Sequence, residues 1–416
     1  MSSRKKYTVL LALVLAGEII FFLPFVMARV FRPTILAAFE ISNLELGSYF
    51  SIYGIVAMGS YFFGGPLADR FPARNLIAVA LWLTALGGIA LSTIPSRLGV
   101  SMIYGYWGFT TVFLFWSALI RATREWGGSG FQGRAFGLLE GGRGITAALI
   151  ATLTLLIFSY LMPHAVGDVS DQQRVESFRW VILATSGITI STGIFVWFAI
   201  PPTMTNLEKR EEVTSVYNVL RIAKIPEVWL QAIIIVSAYV GYKTTDDISL
   251  YAENVLSFNE VDAAAMGAGA IWLRPVFAIM AGFIADRYGG TRTIVLCFIL
   301  ILIGGLLVAT GVVGTSWVHF VLLLPIMVAG VFGLRGIYFA VMQSASVPVV
   351  ATGIAVGIMS VIGYTPDVFM SPLMGYLLDK SPGITGHQTV FWVSVVFALT
   401  GLVSSFTLHF RSIKNS

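Results

Sequence analysis

Apolar stretches of about 20 residues recur from one end of this 416-residue chain to the other, each long enough to cross a hydrocarbon core of roughly 30 Å as a helix. The composition agrees. Of all residues 57% are hydrophobic and 11% charged, with a mean hydropathy of +0.85, too little charge to cover a soluble domain of this size. The expected fold class is an all-α integral membrane protein with twelve transmembrane helices. The spans read as about 8–30, 47–67, 76–95, 100–121, 135–161 and 179–200, then about 228–250, 263–285, 293–314, 317–342, 350–378 and 389–410. The opening Met1-Ser2-Ser3-Arg4-Lys5-Lys6 resembles a secretory signal, but its apolar stretch is long and lacks a small-x-small cleavage site. That predicts an uncleaved first span.

One short phrase occurs twice. Gly65-Pro66-Leu67-Ala68-Asp69-Arg70-Phe71, followed by Arg74, returns 217 residues later as Gly282-Phe283-Ile284-Ala285-Asp286-Arg287-Tyr288, followed by Arg292. Each copy ends one apolar run and precedes another, so each is placed in a short loop between spans. A duplicated charged hairpin half a chain apart implies two homologous helical halves. The domain boundaries follow: 1–200 as an N-terminal six-helix bundle, 201–227 as a polar linker carrying Glu208-Lys209-Arg210-Glu211-Glu212, and 228–416 as a C-terminal six-helix bundle.

Lysines and arginines set the expected orientation. Sixteen lie on the side of the amino terminus and four (Arg97, Arg174, Arg179, Lys380) on the other. This bias places both termini and the linker in the cytoplasm of a cell membrane; the compact loops point to a bacterial inner membrane. The basic residues are scattered through loops, so the net charge of +5 does not make a nucleic-acid face. The single Cys297 allows no intrachain disulfide, and His164, His319, His387 and His409 are too dispersed to suggest a metal. No G-x-x-x-x-G-K-[ST] is present, so no ATP site and no cofactor are expected.

Six basic residues (Arg29, Arg32, Arg143, Lys243, Arg274, Arg335) and five acids (Glu18, Glu140, Asp246, Asp247, Asp367) fall within or at the edge of the spans. A charge at mid-membrane costs roughly 2.5–3.5 kcal/mol on insertion scales, so each needs a partner or a wet cavity.

Twelve spans, a central linker and the doubled G-x-[LI]-A-D-R phrase strongly resemble the major facilitator superfamily, with Pro72 where that family's motif has glycine. The resemblance implies two pseudo-symmetric six-helix bundles that rock about a central site, the major facilitator fold, working mostly as a monomer. It also implies that Asp69 and Arg70, with Gly65 and Arg74, form a gating motif that helps lock one state. Gly282, Asp286, Arg287 and Arg292 would repeat that role more weakly; plain loop solvation is the alternative. Within the superfamily, the stretch from Arg29 to Arg70 looks most like organic-anion and organophosphate carriers, with Arg29 or Arg32 and Lys243 facing each other across the cavity.

Read residue by residue, Glu140 and Arg143 share a helix face at i,i+3, with Arg143 either a ligand for a substrate anion or half of a structural ion pair. Lys243, Asp246 and Asp247 either line water, leaving one aspartate to titrate, or cap the outer rim. Glu18 and Arg29, eleven residues apart, fall on nearly one face of span 1, with Pro24 bending the helix between them. Arg335 falls in a cavity-lining span and either pairs with Asp367 or meets a ligand, and Arg274 reads as structural. Tyr104 and Tyr338 are aromatic candidates for the cavity wall. The function expected is secondary active transport of a small anionic or zwitterionic organic solute, not enzymatic catalysis. Arg29, Arg32, Arg143, Lys243, Arg335, Tyr104 and Tyr338 are the candidate substrate contacts, and Glu18, Glu140, Asp246, Asp247 and Asp367 the proton-coupling candidates. Solute exchange without protons, multidrug-type export, and a non-transporting receptor are the alternatives.

Overall fold

The computed structural model describes residues 3–127, 132–162, 170–202, 224–338 and 359–415. Within them every regular element is helical. The first span is α1 (Ser3–Ile19), a π-helical turn (Phe22–Val26), α2 (Met27–Val30) and α3 (Arg32–Ala38). Then come α4 (Asn43–Arg70), α5 (Ala73–Ser92), and a fourth span made of α6 (Arg97–Gly108), a π segment (Phe109–Trp116) and α7 (Ser117–Gly127). The fifth and sixth are α8 (Gln132–Leu161) and α9 (Asp171–Ala199). The second half has α10 (Pro226–Thr244), a 3-10 turn (Thr245–Asp247), α11 (Ile248–Asn254), α12 (Glu260–Tyr288) and α13 (Gly290–Ala309). α14 (Trp317–Ile337), α15 (Pro366–Lys380) and α16 (Ile384–Asn415) complete it. Nine segments of the described residues are long and apolar enough to cross a membrane by length and composition alone. Most of the expected linker and the start of the eleventh span lie outside the described residues.

Local chemistry accounts for the breaks. Pro24 has no N–H to give, and the chain opens into a π turn around it. Phe31 leaves helical geometry just before Arg32-Pro33 restarts it, with proline in the first turn. Several helices begin with side-chain caps: the Ser42 hydroxyl accepts from Glu45 N at 3.2 Å while the Glu45 carboxylate accepts from Ser42 N at 2.8 Å. Ser170 and Gln173 repeat this box at α9. At α12, Asn259 Oδ1 accepts from Asp262 N at 2.9 Å.

The duplication is visible in these boundaries. Asn43 and Glu260 open α4 and α12, and Ala73 and Gly290 open α5 and α13, each pair 217 residues apart. The caps Ser42 and Asn259 share that offset, and so do their partners Glu45 and Asp262. The charged phrase at 65–71 thus marks a whole helical hairpin that occurs twice.

Two compact units result: Met1–Asn206 with Ile248–Trp272, and Leu207–Asp247 with Leu273–Ser416. In the first unit, Phe22, Phe31, Phe50, Tyr104, Trp107, Phe158 and Phe178 are buried in one core together with Ala264, Ala268 and Ile271 from α12. In the second, α13 and α14 run with their backbones touching: a Cβ on Gly304 would lie 2.5 Å from Met327 N, and one on Gly330 2.4 Å from Cys297 O. Small residues at such crossings are how helices pack tightly in lipid. Outward faces are apolar, as along α8, where Leu138, Ile145, Leu149, Leu153, Leu156 and Tyr160 are exposed at helical spacing.

Candidate functional site

In the first unit the buried charge centres on Arg143. Glycines let α1 and α8 approach here: a Cβ on Gly142 would strike Val14 Cγ1 at 2.6 Å, and one on Gly17 would sit 3.2 Å from Arg143 Cδ. Arg143 Nε donates to Glu18 Oε2 at 3.1 Å and Nη1 donates to Glu140 Oε1 at 2.5 Å. Its guanidinium also lies 5.8 Å from the ring centroids of Phe21 and Trp116. Glu18 and Arg143 are almost fully buried, whereas the Glu140 side chain is 44% exposed. Arg143 is therefore held from both sides, by one dry and one wet carboxylate.

The other first-unit candidates make different contacts. Arg29 is buried and its carbonyl accepts from Ser249 Oγ at 2.9 Å. Arg32 donates from Nε and Nη2 to Asn43 Oδ1 at 3.1 and 3.0 Å, tying α3 to the start of α4. Tyr104 is buried among Tyr49, Phe50 and Trp107, with ring centroids 5.9, 5.4 and 5.2 Å away. That is an aromatic packing environment.

The second unit gathers more candidates in one place. Lys243 Nζ lies 3.0 Å from Asp367 Oδ1 on α15 and 3.8 Å from Asp246 Oδ2. The Tyr239 hydroxyl donates to the Asp367 carboxylate at 3.1 Å. Arg335 of α14 stacks on Tyr242 with its guanidinium carbon 3.8 Å from the ring centroid, and lies 5.7 Å from that of Tyr239. Among the described residues its Nη1 is buried with no hydrogen-bond partner. Tyr338 and Tyr364 complete the group, their hydroxyls 3.4 Å apart. Arg335 and Asp367 do not pair; Tyr239 stands between the two sets. Asp246 and Asp247 are both buried, and Asp247 Oδ2 meets His387 Nδ1 of α16 at 2.7 Å. Arg274 is buried on α12.

The two copies of the charged phrase sit at helix ends. α4 stops at Arg70, which is exposed, and the Ala68 carbonyl accepts from Arg121 Nη1 on α7. Arg74 lies over Trp197 at 4.5 Å. Gly65 and Asp69 lie outside the residues whose side chains are described. In the second copy Gly282 is half-buried, Asp286, Arg287 and Arg292 are exposed, Arg287 lies 5.4 Å over Tyr288, and Gly289 turns the chain with φ 95°.

At the other end of the first unit, Glu260 accepts from Thr34 Oγ1 at 2.9 Å and from Arg174 Nε. Nearby Glu253, beyond the end of the seventh expected span, is pushed up to about 7, first by burial and then by the Glu260 carboxylate, with Arg174 opposing. A carboxyl raised in the folded state favours folding at low pH. That stability is lost as pH climbs from its ordinary 4.5 through about 7. The melting temperature in detergent is expected to fall between pH 5 and 8, and Glu253→Gln to flatten that slope; an unchanged slope in the variant would refute the assignment.

Sequence reasoning passed over Tyr239, Tyr242 and His387 as site residues. The first two had a signal: Tyr239, Tyr242, Lys243 and Asp246 recur at i, i+3, i+4 and i+7, one helix face. His387 had none, since its partner is 140 residues away.

Comparison with known proteins agrees with this architecture. The sequence matches the Major Facilitator Superfamily pattern over residues 14–366. It is 27% identical to the inner membrane protein YihN of Escherichia coli (strain K12) over 98% of this chain and 96% of that protein. It is 28% identical to the inner membrane protein YqcE of the same organism, over 90% and 88%. Among solved structures, a bacterial homologue of the human lysosomal transporter Spinster aligns with a TM-score of 0.74 at 15% identity, covering 100% of this chain and 99% of that one. The nucleoside transporter NupG aligns at 0.71 and 14%, covering 100% of each. At such identities the structures speak for the fold. The duplicated hairpin, the helical order and the matched residues together make this chain a member of the Major Facilitator Superfamily, a secondary transporter and not an enzyme.

Proposed function

We propose that this transporter carries a small anionic or zwitterionic organic solute by alternating access, together with protons. The observation that carries the reading is Arg335: a guanidinium stacked on Tyr242 whose Nη1 is buried and has no hydrogen-bond partner among the described residues. Leaving such a donor unsatisfied is costly, more so when charged. A carboxylate or phosphate oxygen would satisfy it, in the paired geometry that guanidinium groups favour. Tyr239, Tyr242, Tyr338 and Tyr364 would supply walls and hydroxyls, and Asp246 or Asp367 could receive a solute ammonium in exchange for Lys243.

In this reading Arg143 also contacts solute while Glu18 and Glu140 compensate its charge. Arg29, Arg32 and Tyr104 support it through packing. The helix ends at Asp69-Arg70 and Asp286-Arg287 would gate the two halves. The inner-membrane names of the Escherichia coli relatives and the loop charge bias support a bacterial inner membrane with both termini in the cytoplasm.

The test is a thermal-shift screen of the purified protein against small carboxylates, sugar phosphates, amino acids, sugars and lipophilic cations. A ligand at a hundred times its dissociation constant stabilises by about 2.7 kcal/mol. Anions are expected to raise the melting temperature of the wild type and to have no effect on Arg335→Ala. A shift with lipophilic cations alone would overturn the anion reading and favour an exporter.

A further inference from the structure

The two copies of the duplicated hairpin share a turn but differ in charge. Glu40 and Ser257, 217 residues apart, both hold left-handed backbone, with φ 50° and 59°, a strained choice for residues other than glycine. Close to this shared turn, Glu253 and Glu260 stand where the first copy has Leu36 and Asn43, again at the 217-residue offset. The first copy shows that the hairpin forms without either carboxylate, so both acids need another reason.

Glu260 supplies part of it. Its Oε2 accepts from Thr34 Oγ1 at 2.9 Å and its Oε1 from Arg174 Nε, so the start of α12 is held to α3 and α9 within the first unit. Thr34 is 1% exposed and the Glu260 side chain 12%, dry enough for the ion pair to escape most screening. The other partner of Arg174, Asp171, is exposed and contributes little. Glu253 lies half-buried at the end of α11, in the field of the Glu260 carboxylate, which repels its charge, and of Arg174, which attracts it. Elsewhere around α11, Arg32 of α3 donates to Asn43, Asp262 of α12 accepts from Asn259 Nδ2, and the buried Arg29 lies on α2. Before α11, Asp246 and Asp247 meet Lys243 and His387; on it, Tyr251 is buried.

We infer that Thr34, Arg174 and Glu260 form a clasp at this end of the first unit, and that protonation of Glu253 governs whether it holds. With Glu253 neutral, Arg174 and Thr34 serve Glu260 alone. With Glu253 ionised, two carboxylates compete for one guanidinium and repel each other, and α11 with the start of α12 is freed from α3 and α9. A released Glu253 returns to water and to the ordinary carboxylate range, whereas in the clasp burial, and then Glu260, pushes it up to about 7. The closed clasp therefore binds the proton more tightly. Its advantage is complete below about 4.5 and gone above about 7. On the expected orientation this end faces outward, so the outer medium would set the clasp. It is a control on the alternating access proposed above and rests on that reading; it is separate from any proton carried with solute.

The test needs no solute. Ala264 is 1% exposed on α12, one turn beyond Glu260, and Ala264→Cys in a Cys297→Ser chain places a thiol beneath the clasp. Its alkylation by N-ethylmaleimide is timed in detergent at about pH 5.5 and about pH 8, on either side of the Glu253 titration. Each rate is divided by that of the unfolded chain at the same pH, which removes the thiol's own titration. The quotient is expected to rise about tenfold or more between the two. With Glu253→Leu added it should stay low at both, and with Glu260→Asn added it should be high at both. A flat quotient with Glu253 in place, the same rise in Glu253→Leu, or a low quotient in Glu260→Asn would overturn the clasp. So would an equal rise at Cys297 in the unsubstituted chain, because that thiol is buried on α13 in the second unit and reports general opening. Should Ala264→Cys fail to fold, hydrogen exchange of the 248–264 backbone takes its place, with faster exchange at the higher pH expected only where Glu253 is present. Failure of the solute reading leaves all these rates unchanged and shows instead in the melts.

Discussion

Arg143→Ala is expected to destabilise the protein by about 3–5 kcal/mol, the cost of leaving one member of a buried ion pair behind. Glu18 supplies that penalty, since its carboxylate is almost fully buried and receives Arg143 Nε at 3.1 Å. Glu140 adds little, because its exposed side chain can return to water. Adding Glu18→Gln to Arg143→Ala should restore most of the loss, whereas adding Glu140→Gln should not. The coupling is measured as a double-mutant cycle on denaturation in detergent. The solute role is read from the same proteins: if Arg143 contacts the anion, the doubly substituted protein melts normally yet responds to no carboxylate or phosphate ester. Recovery of both stability and response would make Arg143 a brace between α1 and α8.

Lys243→Met should cost a similar amount, for a related reason. Lys243 is 1% exposed and lies against two carboxylates, so its removal withdraws a buried cation from both. Substituting Asp367→Asn alongside should recover part of the loss, and Asp246→Asn as well should recover more. The order matters: Asp367 is 3.0 Å from Nζ and Asp246 3.8 Å, so the first should couple more strongly. Equal coupling for both would argue against the contact geometry. Lys243→Arg is no conservative control here, because a planar fork cannot occupy the place of a compact ammonium between two carboxylates.

Most of the fold was legible in the sequence because lipid leaves the backbone so few options. Apolar run length gave the spans, and one repeated phrase gave the duplication, which the boundaries of α4, α5, α12 and α13 reproduce at the same 217-residue offset. The pairing of Glu140 with Arg143 was also readable, being local. Partners across helices were not. Eleven residues of ideal helix put Glu18 and Arg29 on one face, but the π turn at Phe22–Val26 lies between them and shifts the phase. Glu18 meets Arg143, 125 residues on. The depth of Asp246 and Asp247 was equally hidden: whether two carboxylates cap a rim or lie buried depends on what packs over them, and no local pattern records that.

The passage of the chain from one compact unit to the other between Asp247 and Ile248 bears on how this protein could be taken apart. The linker expected at 201–227 is where a biochemist would cut it, and sequence symmetry would call the products equal halves. They would not be self-sufficient. The first fragment would lack α11 and the start of α12, and so would lose Ser249 from the Arg29 carbonyl and Glu260 from Thr34 and Arg174. Its aromatic core would be left without Ala264, Ala268 and Ile271. Each product would carry an unfinished surface, and the two would be natural complements, a lock cut so that its key is part of the neighbouring piece.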